Sequence, residues 1–215
     1  QGATYYVGKD GDDDVECSQA QLLTTPKLTI RAGIGCLSPG DTLYVKTGVY
    51  TEFVSNLYFQ MPSGIEGKVV TISAHPGDRV ELRAPGGGNL VEFCGLHWIV
   101  FKGFIVASDG VRGGGVVVGC GSTHIRLEEN EITGAAYNGI LIGNPGTQDI
   151  EVVNNDIHDN GHACRCGYGI YSGARNLLIE YNLLCKAEAT AAPGLRPMRC
   201  AIAAAHHAAE PEFLK

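Results

Sequence analysis

The 215-residue chain carries a formal charge of −7, which excludes the basic surface that nucleic acids and anionic membranes demand. No apolar run approaches the ~20 residues that cross a bilayer as a helix. Thirty glycines with 7% aromatic residues describe many tight turns around a thin aliphatic core, and eight cysteines favour an oxidising compartment.

The chain opens at Gln1 with neither Met nor an apolar leader, the start expected of a secreted, extracellular protein after removal of a signal peptide. Residues 4–7, Thr-Tyr-Tyr-Val, read as a short strand. The turn behind them holds Asp10, Asp12, Asp13 and Asp14. A solvated turn is expected there, with a weak calcium loop as the alternative, because hard oxygen ligands cluster in it. Residues 26–38 carry the one helix, with Leu28, Ile30, Ile34 and Leu37 on a shared face. Cys17 and Cys36 bracket this segment and are the best-motivated disulfide. Residues 55–67 form a looped excursion with Tyr58 and Phe59 exposed.

Beyond it the sequence repeats. His124-Ile-Arg-Leu-Glu-Glu-Asn130-Glu-Ile132, Asp149-Ile-Glu-Val-Val-Asn-Asn155-Asp-Ile157 and Asn176-Leu-Leu-Ile-Glu-Tyr-Asn182-Leu-Leu184 are three copies of one phrase. With Ile125, Ile150 and Leu177 as position zero, an aliphatic stands at plus two, Asn at plus five and an aliphatic at plus seven; the copies are 25 and 27 residues apart. A period in that range marks a solenoid, and the apolar period of two makes its unit a strand. Rungs stacked at about 4.8 Å would set Asn over Asn. The same register extends upstream through Trp98 and, more loosely, Val70 and Leu43, giving five to six coils. A second strand recurs as Gly115–Gly119, Gly139–Gly143 and Gly169–Gly173, its flanking glycines expected where the chain turns corners. Cys94 and Cys120 end that strand type one coil apart, either bridged or stacked as buried thiols. Gly161–Tyr168 is an insertion, and insertions in solenoids gather on one face, often the binding face. After Cys185 the pattern stops. The chain therefore divides into a solenoid over 1–186, its cap occupying about the first 40 residues, and a C-terminal tail or cap over 187–215.

Two strand types alternating on this period, with phrases such as Asn154-Asn-Asp-Ile-His-Asp-Asn-Gly161 and Gly169-Ile-Tyr-Ser-Gly173, resemble the repeat-containing secreted members of the right-handed parallel β-helix, pectate-lyase-like superfamily. The order of helix, Pro39-Gly-Asp-Thr, strand and Gly-x-Tyr is similar to their entry, where the helix plugs the open end of the coil. The resemblance implies an all-β fold: a right-handed parallel β-helix solenoid of about five to six coils with a short N-terminal capping helix.

That superfamily houses lyases, hydrolases, adhesins and structural proteins, so two functions stay open. The first is an extracellular protein that binds polysaccharide and cleaves it by β-elimination. In calcium-dependent pectate lyases an outer acidic cluster holds the metal that binds the uronate carboxylate, and a Lys or Arg takes the neighbouring proton. By resemblance, Glu131, Asp156 and Asp159 are the calcium ligands and Lys186 and Arg175 the candidate bases, although Asn155 opens the motif in place of an acid and neither base falls clearly in the catalytic position. Tyr58, Tyr168 and Tyr171 are the candidate substrate-binding aromatics. From the residues alone, Glu131 and Asp156 share the plus-six column and repel unless a cation lies between them; a hydrated acidic face is the alternative. His158, His162, Cys164 and Cys166 offer soft metal ligands, or the thiols pin the inserted loop by disulfides with Cys185 or Cys200. The second function is a structural or adhesive β-helix that stacks end to end into filaments, its open last rung templating another chain.

Overall fold

The computed structural model describes residues 2–108, 113–143, 145–162, 168–187 and 198–207, and for 186–187 and 198–207 the backbone alone. Strand β1 (Thr4–Val7) and a short helix α1 (Ile30–Ile34) precede five three-strand coils. These are β2 (Thr42–Val45), β3 (Gly48–Thr51) and β4 (Val54–Ser55); β5 (Val70–Ala74), β6 (Val80–Arg83) and β7 (Val91–Cys94); β8 (His97–Lys102), β9 (Phe104–Ala107) and β10 (Val116–Gly119); β11 (Thr123–Glu128), β12 (Glu131–Thr133) and β13 (Ile140–Ile142); β14 (Gln148–Val153), β15 (Asp156–His158) and β16 (Ile170–Ser172). The long β17 (Arg175–Ala187) and β18 (Met198–His207) close the series. Corresponding strands of successive coils pair in parallel and build three faces. The first face runs β2-β5-β8-β11-β14-β17, the second β3-β6-β9-β12-β15-β17, the third β4-β7-β10-β13-β16. It is an all-β parallel solenoid of about five turns.

Like stacks on like inside it. Ile125 pairs with Ile150 and Ile150 with Leu177, while Leu127, Val152 and Ile179 form the plus-two column. Most of these side chains are fully buried, each contributing roughly 1.5–3 kcal/mol of apolar burial. At the bend between the first and second faces Asn130, Asn155 and Asn182 are buried one above another. The Asn155 carboxamide oxygen accepts from the backbone and side-chain nitrogens of Asn130 at 3.0 Å each, and its nitrogen donates to Asn182 Oδ1 at 2.9 Å and the Leu127 carbonyl at 3.0 Å. No apolar residue could satisfy these corner groups.

Upstream, the register differs from the sequence expectation. Ile125 pairs with Ile99, not Trp98, and Ile72 pairs with Leu43, so Leu43 occupies plus two instead of zero. Val70 holds its expected place opposite Ile99. The cause is local: Trp98 has φ +56° and is skipped by the ladder, which passes from His97–Thr123 to Ile99–Ile125. Glycines 115 and 139 also have a different reason from the corner bending expected of them. A methyl on either would meet the backbone oxygen of the next coil's glycine at 2.6 or 2.8 Å, so they permit close stacking.

The N-terminal cap is a five-residue helix, shorter than the expected span, and Leu28 lies outside it and is exposed. Thr29 caps it, accepting from the Ala32 N–H, and the Asp13 and Glu52 carboxylates take the N–H groups just before and inside its start. The aspartate turn is occupied by protein groups: Asp10 pairs with Lys46 at 2.8 Å, and the buried Lys27 ammonium donates to the carbonyls of Asp13 and Val15. Cys17–Cys36 is a disulfide, and Cys94–Cys120 is bridged rather than stacked as thiols. Among the described residues beyond 185 there is no further parallel rung, but β18 lies antiparallel along β17. The last rung of the first two faces is therefore occupied, and it does not offer the open edge that the filament reading invoked.

Candidate functional site

In every coil from the third onward, the residue that leads into the first-face strand adopts the left-handed region: Trp98 and His124 and Asp149 at φ +56°, Asn176 at +50°. Asn, Asp and His tolerate that conformation; a bulky Trp there is an outlier. Because the ladder skips these positions, their side chains leave the pleat and form an outward column. The Trp98 and His124 rings stack at 3.8 Å with planes 14° apart. His124 Nε2 lies 3.9 Å from Asp149 Oδ2, and Asn176 Nδ2 donates to Asp149 Oδ1 at 2.9 Å.

The alternation of the strand brings out a second column two residues later: Val100, Arg126, Glu151 and Leu178. Between the two columns runs a solvent-open groove of about 420 Å³. Its charged groups are mutually engaged. Arg126 donates from Nε and Nη2 to Glu128 at 3.1 and 3.2 Å, and from Nη1 to Glu151. The hydrogen bond from Arg126 holds the Glu128 carboxyl below the usual carboxylate range, and Arg126 is in turn held above its ordinary value by Glu128 and then Glu151, against a smaller opposing effect of burial. Lys102 sits on Glu129 at 3.1 Å. The groove thus offers a flat aromatic edge, apolar ends at Val100 and Leu178, and a centre rich in carboxylate and amide groups.

The residues expected from the sequence to carry chemistry are elsewhere. Glu131 and Asp156 are register partners on adjacent rungs of the second face, as the plus-six column implied. His158 inserts among them: Nε2 lies 3.5 Å from Glu131 Oε1, and Nδ1 3.1 Å from Asp159 Oδ2 and 3.3 Å from Thr133 Oγ1. Burial pulls the His158 pKa down, but the Asp159 hydrogen bond and the Asp156, Asp159 and Glu131 charges outweigh it and leave the group above its ordinary value. Asp156 Oδ1 is buried without a hydrogen-bond partner. Among the described residues, no set of three or more His, Cys, Asp or Glu side chains is arranged to hold a metal ion. Cys185, which pairs in register with His158, is disulfide-bonded and so is no metal ligand. Cys164 and Cys166 lie outside the described residues, and His162 is exposed at their edge.

Arg175 and Lys186 stand near opposite ends of the 13-residue β17, Arg175 beside Gln148 on the first face and Lys186 on the second-face segment; the Lys186 side chain lies outside the described residues. The three tyrosines do not converge. Tyr168 and Tyr171 stack at 5.8 Å at the last rung of the third face, whereas Tyr58, stacked on Phe53 at 4.6 Å, follows β4 at its first rung. Four rung spacings, about 19 Å, separate them. Phe59, expected to be exposed, is partly buried against the core and faces Arg31 at 5.6 Å. Sequence reasoning missed Trp98, His124, Asp149 and Asn176 as a group. The available signal was that three of them are left-handed-tolerant residues at one repeat position.

Comparison with known proteins places the fold. A family model described as "Right handed beta helix region" matches residues 95–191. Among solved structures the chain is similar to a GH136 lacto-N-biosidase from Eubacterium ramulus, with 11% identity, TM-score 0.55, and 85% of this chain and 51% of that one covered. It is also similar to the pectate lyase Pel9A (16%, 0.48; 83% and 62%) and to a rhamnogalacturonan lyase (15%, 0.43; 84% and 69%). The chain spans about half the length of the lacto-N-biosidase and about three fifths of the pectate lyase. No curated protein matches the sequence.

Proposed function

We propose that this chain, a right-handed parallel β-helix repeat protein, binds a polysaccharide lengthwise in the groove on its first face. One observation carries the reading: equivalent positions on four successive rungs of the first face supply, in one column, an aromatic stack followed by a carboxylate and an amide. A pyranose ring presents an apolar C–H face and a rim of hydroxyls, which this combination of ring surface and hydrogen-bonding groups complements. The stacking of the rungs fixes the spacing, so the column is preorganised and loses little entropy on binding. The reading rests on the groove and not on shared architecture, since one fold carries many activities. The Cys17–Cys36 and Cys94–Cys120 disulfides suit an oxidising, extracellular setting. The reading stops at binding: Arg126 is committed to two carboxylates, and Arg175 and Lys186 do not share a face.

Affinity electrophoresis and calorimetry against soluble polysaccharides test this. The wild type should be retarded by at least one polymer, and Trp98→Ala should weaken that interaction roughly tenfold, the loss of about 1.4 kcal/mol. A Trp98→Ala protein that binds as tightly as the wild type would place the site elsewhere.

A further inference from the structure

We infer that the groove selects uncharged glycans, neutral or N-acetylated, and rejects uronate polymers. This rests on the carbohydrate reading above and adds its substrate class. The groove and its wall set three carboxylates, Glu128, Asp149 and Glu151, against one guanidinium, Arg126. That guanidinium is already forked onto Glu128 through Nε and Nη2 and tied to Glu151 through Nη1. A bidentate approach by a sugar carboxylate would have to displace a protein carboxylate that is held in place by the strand. A further cation on the same face, Lys102, is likewise taken by Glu128 and Glu129. The half-buried Asp149 keeps an oxygen toward His124 and its other on Asn176.

An uncharged sugar meets the opposite situation. Its hydroxyls are donors, and carboxylate acceptors take such bonds more strongly than neutral acceptors do. Its apolar C–H groups can pack against the edge of the Trp98–His124 stack at one end and against Leu178 at the other. A polyuronate carries a charge on every residue, so a carboxylate that crosses the fifth coil would fall beside Asp149 and Glu151, which both project from β14. Discrimination by like-charge juxtaposition is a recognised route to specificity.

The experiment compares binding of the full chain to neutral polymers (galactan, xylan, glucomannan, a chitin oligomer) and to polygalacturonate, at matched ionic strength, with calcium and with chelator. The wild type should bind one or more of the uncharged glycans at least roughly tenfold more tightly than polygalacturonate in either condition. Asp149→Asn/Glu151→Gln, and Glu151→Gln alone as a milder change that frees Arg126 Nη1, should narrow the gap by raising polygalacturonate binding severalfold. Polygalacturonate binding as tight as the best uncharged glycan, lost in Trp98→Ala, would overturn the charge selection and leave the sugar groove standing. The charge selection also falls if calcium alone restores uronate binding, or if the gap survives in both carboxamide variants. Binding to neither class, or binding that ignores Trp98, would bring down the groove reading and this inference with it.

Discussion

Two columns climb this solenoid along the same strands, one inside and one outside. Asn130, Asn155 and Asn182 are buried and identical; Trp98, His124, Asp149 and Asn176 face solvent and all differ. Both columns answer a backbone problem at a corner. Inside, the oxygen of each asparagine accepts from the coil before it, so the side chain itself satisfies the corner; where the ladder begins, Phe104 stands in register and its N–H is taken by Asn130. Outside, the left-handed φ is what the corner requires, and water satisfies whatever the side chain presents. Backbone geometry constrains that position while its chemistry is free to specialise.

Breaking the inner column should therefore have the largest effect. Asn155→Ala removes the acceptor of two Asn130 bonds and the donor to Asn182 and Leu127, leaving buried polar groups on both neighbouring coils unpaired. A loss of roughly 4 kcal/mol is expected in urea unfolding, from several net hydrogen bonds plus desolvated orphans. A loss under about 1 kcal/mol would mean that water replaces the amide and the ladder is not what holds the corner.

Next comes the covalent tie at another corner. Cys94–Cys120 joins successive coils across 26 residues with Cα atoms 4.8 Å apart, the rung spacing itself. Cys94→Ala/Cys120→Ala should cost about 3 kcal/mol through loop entropy restored to the unfolded chain. An unchanged unfolding midpoint would show that the coils are already held in register without it. By contrast, Trp98→Ala should cost less than about 1 kcal/mol, because the residue is only partly buried and is skipped by the ladder. A large loss there would erase the distinction between the two columns.

The inner column was legible in the sequence and the outer one was not, for a physical reason. Burial forces repetition of identity, so three asparagines at plus five, flanked by aliphatics, announce the coil. The outer column repeats only a backbone conformation, which leaves a weak trace in residue type. Trp98 shows the consequence: hydrophobicity and a period of two put it in the core at position zero, but the left-handed second residue of each of these strands shifts the true register to Ile99. Cys94 and Cys120 were visible as neighbours, yet distance along a repeat does not distinguish a thiol pair from a bridge. Glu131 and Asp156 were correctly placed on adjacent rungs. Their engagement by His158 depends on rotamers that no spacing reveals. The tyrosines failed to converge because Tyr58 belongs to the first rung of the third face and Tyr168 and Tyr171 to its last.

The smallest effect separates the two histidines of the outer faces. His124 is exposed and stacks on Trp98, while His158 is half-buried on the second face, between Glu131 of β12 and Asp159 of its own coil, with Thr133 beside it. Although burial disfavours its charged form, the Asp159 hydrogen bond and three nearby carboxylates lift its pKa above the ordinary 6.5. A raised histidine pKa means that the folded state binds the proton more tightly than the unfolded chain does. The resulting stabilisation is fully present below about pH 6.5 and fades as pH rises through the higher folded value. Because the group is partly solvated, the amount should stay under about 1 kcal/mol. Urea midpoints measured from about pH 5.5 to 8.5 should drift downward in the wild type across that window, and His158→Gln should remove the drift while keeping a polar side chain near Asp159. His124→Gln should leave the drift in place. If the slope persists in His158→Gln, the proton is bound elsewhere and the assignment to His158 falls.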